Sequence, residues 1–150
     1  MSVKAKGPNI LLIDDEELTL ELIKHMLAEI NVGEVLMSGN GARALKVLQK
    51  DPAHYDLVIS DWEMPGMNGL DFLRAFRQFN KNTPVLMVTG NTQREFVMEA
   101  IKAGVNDFLG KPFTARDLLA KVKKLTSATP PVPSVAGESK PDQAQQSSTG

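Results

Sequence analysis

Four places in this chain set a polar or charged side chain directly behind an apolar run. "LLIDDEE" (11–17) delivers Asp14 and Asp15, "DLVISD" (56–61) delivers Asp61, "PVLMVTG" (84–90) delivers Thr89, and "NDFLGKP" (106–112) delivers Lys111. Singly, each has an ordinary explanation. Acids at a helix start complement its dipole, aspartate is a common turn residue, threonine suits a strand, and loop lysines are mostly solvated. Jointly they imply chemistry. Three carboxylates brought to one rim repel unless a cation lies among them. Oxygen-only donors suit a hard ion such as Mg2+, with Mn2+ also compatible. Beside such an ion a carboxylate can attack phosphorus and form an acyl phosphate, while a lysine neutralises charge on the transferring group. Asp61 is the natural nucleophile, because it stands alone while Asp14 and Asp15 come as a pair suited to holding metal. The Thr89 hydroxyl could donate to a phosphoryl oxygen.

Such convergence needs elements that all stop at one rim, and the hydrophobic pattern supplies them. The continuous apolar run at 9–13 has the form of a strand buried on both faces, and short strands are expected also at 34–38, 56–60, 84–89 and 106–110. Between them lie segments of helical period. The first places Leu18, Leu22, Met26 and Ile30 on one stripe, joined by Ile23 and Leu27. Helices follow at 41–50, 70–79, 92–104 and 114–125, with Thr92 near one N-cap, Gly104 as its stop, and Thr114 and Asp117 at capping-box spacing. Five strands alternating with five helices predict a doubly wound α/β fold, a five-stranded parallel sheet with helices on both faces. In such sheets ligands bind beyond the carboxyl ends of the strands.

The folded unit is expected over residues 7–125. Beyond it, residues 126–150 are rich in Pro, Ser and Gln with little to bury, the composition of a disordered tail or linker. In the 150-residue chain, 17 basic residues nearly cancel 18 acidic ones, so no field favours nucleic acid or an anionic membrane. With no cysteine, disulfides, thiolate metal sites and a thiol nucleophile are excluded. The apolar run at Ile10–Ile13 is too short for a signal-peptide core or a membrane span. The expectation is a cytoplasmic domain with no membrane insertion.

The motifs "LLIDDEE" (11–17), "DLVISDWEMPGMNGLDFL" (56–73), "PVLMVTG" (84–90) and "AGVNDFLGKPF" (103–113) together resemble the receiver domain of two-component response regulators, in its compact, chemotaxis-type form. The resemblance implies a flavodoxin-like three-layer sandwich. It implies that Asp61 is phosphorylated by a histidine kinase or phosphotransfer protein, and that Asp14, Asp15, Asp61 and the backbone carbonyl of Glu63 hold Mg2+. Lys111 is then the cation on the phosphoryl group, the Lys111–Pro112 peptide is cis, and Thr89 and Phe108 form the switch. Glu63 and Asn91 stand where side chains tune the lifetime of the acyl phosphate. Gly90 is small enough to let the phosphoryl group approach. The signalling face, built from the fourth helix, fifth strand and fifth helix, would meet a downstream protein and could also support a weak dimer. No nucleic acid is expected through this domain, and no catalysis beyond its own phosphorylation and dephosphorylation. Competing readings are a receiver fragment of a longer regulator, a pseudo-receiver scaffold, and an aspartyl-phosphate phosphohydrolase, for which Glu63 would be the one nearby acid/base candidate.

Of the remaining residues, His25 and His54 lack a ligand-spaced partner. Trp62 is expected to be a partly exposed rim residue, Phe96 to pack marginally off a stripe of Val97, Ala100 and Ile101, and Lys121, Lys123 and Lys124 to form a solvated face.

Overall fold

The computed structural model describes residues 7–90 and 93–127. Strands and helices alternate throughout: β1 (Ile10–Ile13), α1 (Glu17–Leu27), β2 (Val35–Ser38), α2 (Gly41–Lys50), β3 (Leu57–Asp61), α3 (Gly69–Arg77), β4 (Val85–Thr89), α4 (Arg94–Ala103), β5 (Asp107–Gly110) and α5 (Ala115–Thr126). All strand pairs are parallel, in the order β2-β1-β3-β4-β5. This is the doubly wound, flavodoxin-like arrangement.

Strand side chains alternate between faces, and that alternation divides the core in two. Leu11, Ile13, Val58, Val85 and Met87 face Leu48 of α2, Phe72, Leu73 and Phe76 of α3, and Ala100 of α4. Ile10, Leu12, Leu57, Ile59, Leu86 and Val88 face Leu20, Ile23 and Leu27 of α1 and Leu118 and Val122 of α5. Both faces of every central strand are therefore dry, which is why the runs show no polar alternation.

The starts of α2, α3 and α5 are fixed by side chains. Asn40 and Asn68 accept the N–H groups of Arg43 and Asp71 at the starts of α2 and α3, and Thr114 forms a reciprocal capping box with Asp117 at α5. Gly104 ends α4 at φ +103°, a conformation open to glycine.

Three packing expectations need correction. The buried stripe of α1 is Leu20, Ile23 and Leu27, whereas Leu18 is 86% exposed and Leu22 49%. On α4, Ala100 is buried but Ile101 is exposed, while Phe96 is partly buried against the core as expected. Lys121 and Lys124 are not merely solvated, because each places Nζ 2.9 Å from a different oxygen of Asp107. The helix before Gly104 begins at Arg94 with Gln93 as its N-cap. Thr92 lies outside the described residues, as do Asn91 and all of the tail beyond Ser127. No described helix is long and apolar enough to cross a membrane.

Candidate phosphoryl-acceptor site

Register brings the strand ends level. Ile13 pairs with Ser60, Asp61 with Val88, and Thr89 with Gly110. The next residues out are therefore Asp14, Asp61 itself, Thr89 and Lys111, all at one rim. Asp61 is the last residue of β3 and is only 4% exposed; Asp14 is also buried, and Asp15 is open to solvent. The chain turns sharply after Asp61 and reaches α3 at Gly69. A Cβ there would stand 2.6 Å from the Asp61 carbonyl oxygen and 2.8 Å from the Trp62 Cα, so only glycine lets α3 start this close to the strand end. Gly90 differs, since a Cβ there meets nothing within 4 Å among the described residues.

Asp14, Asp15 and Asp61 each offer a carboxylate oxygen, all within 4.8 Å of one another. Lys111 Nζ donates to Asp61 Oδ1 at 3.0 Å, and the Lys111–Pro112 peptide is cis. Thr89, 1% exposed, donates its hydroxyl to Glu63 Oε2 at 3.2 Å. Phe108 on β5 is partly buried against the core that carries α2, α3 and α4. Asn91 lies outside the described residues.

The electrostatics are unbalanced. Burial pushes the Asp14 carboxyl up to about 6; the Glu16 N–H donating to it at 2.9 Å opposes the rise, and the charge of Asp61 adds to it. Burial likewise raises Asp61, against the pull of Lys111, with Glu63 and Asp15 contributing. Lys111 rises because its bond to Asp61 and the surrounding acids together outweigh its own burial. Among the described residues, one ammonium thus faces several carboxylates, two of them poorly hydrated. A compact set of carboxylate oxygens short of positive charge fits a hard divalent cation such as Mg2+.

Some contacts at this rim have no signature in the sequence. Glu63 was singled out for its position, but nothing in the spacing foretold that its side chain takes the Thr89 hydroxyl. Trp62 is buried at 6% exposure rather than lying partly exposed, because Phe96 of α4 packs edge-on to it with ring centroids 5.8 Å apart. His54 pairs with Glu34 at 2.8 Å at the opposite end of the sheet, with Asp51 3.9 Å from its other ring nitrogen.

Comparison with known proteins agrees with this geometry. A family described as "Response regulator receiver domain" matches residues 10–123. Chemotaxis protein CheY of Pseudomonas aeruginosa is 39% identical over 118 residues, covering 77% of this chain and 94% of that protein. Chemotaxis protein CheY-3 of Vibrio cholerae is 38% identical over 122 residues, covering 80% and 92%. Among solved structures, Vibrio cholerae CheY4 aligns with a TM-score of 0.71 at 32% identity over 79% of this chain and 98% of its own. A receiver domain from Clostridium thermocellum aligns at 0.73 and 33% identity, covering 79% and 94%. With its sheet order, its acidic rim and these relatives in agreement, the chain belongs to the response regulator receiver domain family.

Proposed function

We propose that this receiver domain is a phosphorylation-dependent signalling switch whose acceptor is Asp61. The observation that carries this reading is the placement of the Asp61 carboxylate between the paired acids Asp14 and Asp15 and the Lys111 ammonium. In the reaction, an Asp61 carboxylate oxygen forms a bond to phosphorus as the P–N bond of a phosphohistidine donor breaks, and the electron pair leaves on the imidazole nitrogen. Lys111 stays paired with the site and offsets charge on the phosphoryl oxygens. A Mg2+ held by Asp14, Asp15, Asp61 and the Glu63 carbonyl would supply further neutralisation of those oxygens. In the return step, water attacks phosphorus, the bond to Asp61 breaks, and inorganic phosphate leaves.

The phosphoryl group shifts a two-state element made of Thr89, Phe108 and α4, and changes the α4–β5–α5 face offered to a downstream protein. The donor is a histidine kinase or phosphotransfer protein, and the domain works in the cytoplasm. Glu63 and Asn91 bear on the lifetime of the acyl phosphate.

Incubation with a small-molecule phosphoryl donor and Mg2+ tests the reading by intact mass. The wild-type chain is expected to gain one phosphoryl group only when Mg2+ is present, and Asp61→Asn to gain none. Wild-type protein that stays unlabelled would make this a pseudo-receiver scaffold. Continued release of phosphate from diverse phosphoesters would make it a phosphohydrolase.

A further inference from the structure

A threonine hydroxyl carries one proton to donate. In this structure the Thr89 hydroxyl donates to Glu63 Oε2 at 3.2 Å. As a carboxylate, Glu63 can only accept. A proton directed at Glu63 is not directed at a phosphoryl oxygen on Asp61, so the two arrangements exclude each other. We propose that Glu63 is a positioning residue that latches Thr89 in the unphosphorylated state, competing with the phosphoryl group for this single proton. The inference rests on the reading of Asp61 as the phosphoryl acceptor.

The two partners are unequal. Thr89 is buried, and a buried hydroxyl without an acceptor costs about 1–3 kcal/mol. The bond to Glu63 Oε2 supplies such an acceptor and favours this arrangement until a phosphoryl oxygen competes for the proton. Glu63 is exposed, so water takes over its carboxylate at little cost once Thr89 turns away. The latch is stable without phosphate and readily surrendered with it.

Glu63 also springs from a fixed base. The Trp62 N–H donates to Val88 O at 2.9 Å, Trp62 O accepts from Gly69 N at 2.8 Å, and the buried Trp62 ring rests edge-on against Phe96 in the first turn of α4. The contacts that join the β3–α3 connection to the β4–α4 region thus include Glu63 to Thr89 and Trp62 to Phe96. Release of the first leaves the aromatic pair in place, which couples the state of Thr89 to the position of α4. By linkage, anything that favours the Glu63–Thr89 bond weakens phosphoryl binding by the same factor.

The test is Mg2+-dependent binding of beryllofluoride to wild type, Glu63→Ala and Glu63→Gln, read by calorimetry, with the Thr89 methyl resonance followed by NMR. Mg2+ affinity measured alone serves as the control. The latch predicts that Glu63→Ala binds beryllofluoride about three- to tenfold more tightly, the equivalent of one hydrogen bond. Glu63→Gln, which keeps an acceptor oxygen, stays closer to wild type. In free Glu63→Ala the Thr89 methyl shifts toward its position in the beryllofluoride complex. Equal tightening in both variants would assign the effect to charge repulsion and overturn the latch. So would unchanged affinity, or a Thr89 methyl that does not move. Wild-type protein that binds no beryllofluoride would overturn the Asp61 assignment and the latch with it.

Discussion

Asp61 and Asp107 are a natural pair for comparison. Each is a carboxylate on a strand of the same sheet, each is largely buried, and each has a lysine ammonium about 3 Å away. Their acidities move in opposite directions. Asp107 is bonded by both Lys121 and Lys124 and by the Phe108 N–H, and these donors overcome its burial and hold its carboxyl below the usual range. Asp61 has one lysine and shares its surroundings with other acids, so burial wins and its carboxyl is raised. The first is a satisfied structural anchor between β5 and α5. The second is left short of positive charge, as a group must be if it is to attract a cation and a phosphoryl group. Burial alone does not mark a functional carboxylate; the balance of donors around it does.

Changing that balance should affect the two ends differently. Lys111→Met removes the Lys111 ammonium from the acidic rim. A broken buried ion pair costs about 3–5 kcal/mol, and because the Lys111 side chain is 30% exposed the expected loss is cut to about 2 kcal/mol. Chemical denaturation at neutral pH without divalent ions reads this, and added Mg2+ should restore part of it.

Asp14→Asn should act in the opposite direction. A carboxyl whose folded pKa is raised contributes stability that is fully present below the unfolded value of 3.8 and is lost as pH rises through about 6. At pH 7 the ionised Asp14 therefore weighs against folding, and the asparagine should stabilise the metal-free protein by on the order of 2 kcal/mol. The same change should abolish the stabilisation expected from Mg2+ in the wild type. In the wild type that Mg2+ effect should fade as pH falls through about 6, where a proton takes the place of the metal on Asp14.

Asp107→Asn should show the anchor's behaviour. It is expected to lose about 1 kcal/mol at pH 7 without changing Mg2+-dependent labelling. Since the folded pKa of Asp107 is depressed, its contribution is present above the unfolded value and disappears as pH falls through the folded one. Lys124→Ala, at an exposed position with Lys121 still in place, should fall within about 0.5 kcal/mol of wild type. A loss of labelling in Asp107→Asn would dissolve the distinction between the two carboxylates.

The rim was legible because a parallel sheet writes itself plainly in sequence. Strands buried on both faces leave unbroken apolar runs, and the first polar residue after each run lies at the ligand-binding edge. Asp14, Asp61, Thr89 and Lys111 all fall at such positions, and the strand and helix limits differ from the sequence expectation mostly by a single residue. The helix stripes were less legible. On α1 a four-residue spacing through Leu18, Leu22 and Met26 competes with Leu20, Ile23 and Leu27, and both have helical period. Only packing against Ile10 and Leu12 decides for the second. Contacts between distant segments left no trace. Nothing near Trp62 indicates that Phe96 will cover it, and nothing near Lys121 reveals Asp107. Arg77 is similar. It sits on α3 among other charged residues, yet it is part-buried and donates to the carbonyls of Asn80, Thr83 and Gly104, tying α3 to the C-terminal end of α4.

The most direct test of Asp61 as the acceptor is to trap the acyl phosphate and locate it. Phosphorylated protein treated with borohydride should carry the reduced, modified residue in the peptide containing Asp61, with Asp14, Asp15 and Asp107 untouched. Reduction at any of those other aspartates, or at none, would contradict the assignment.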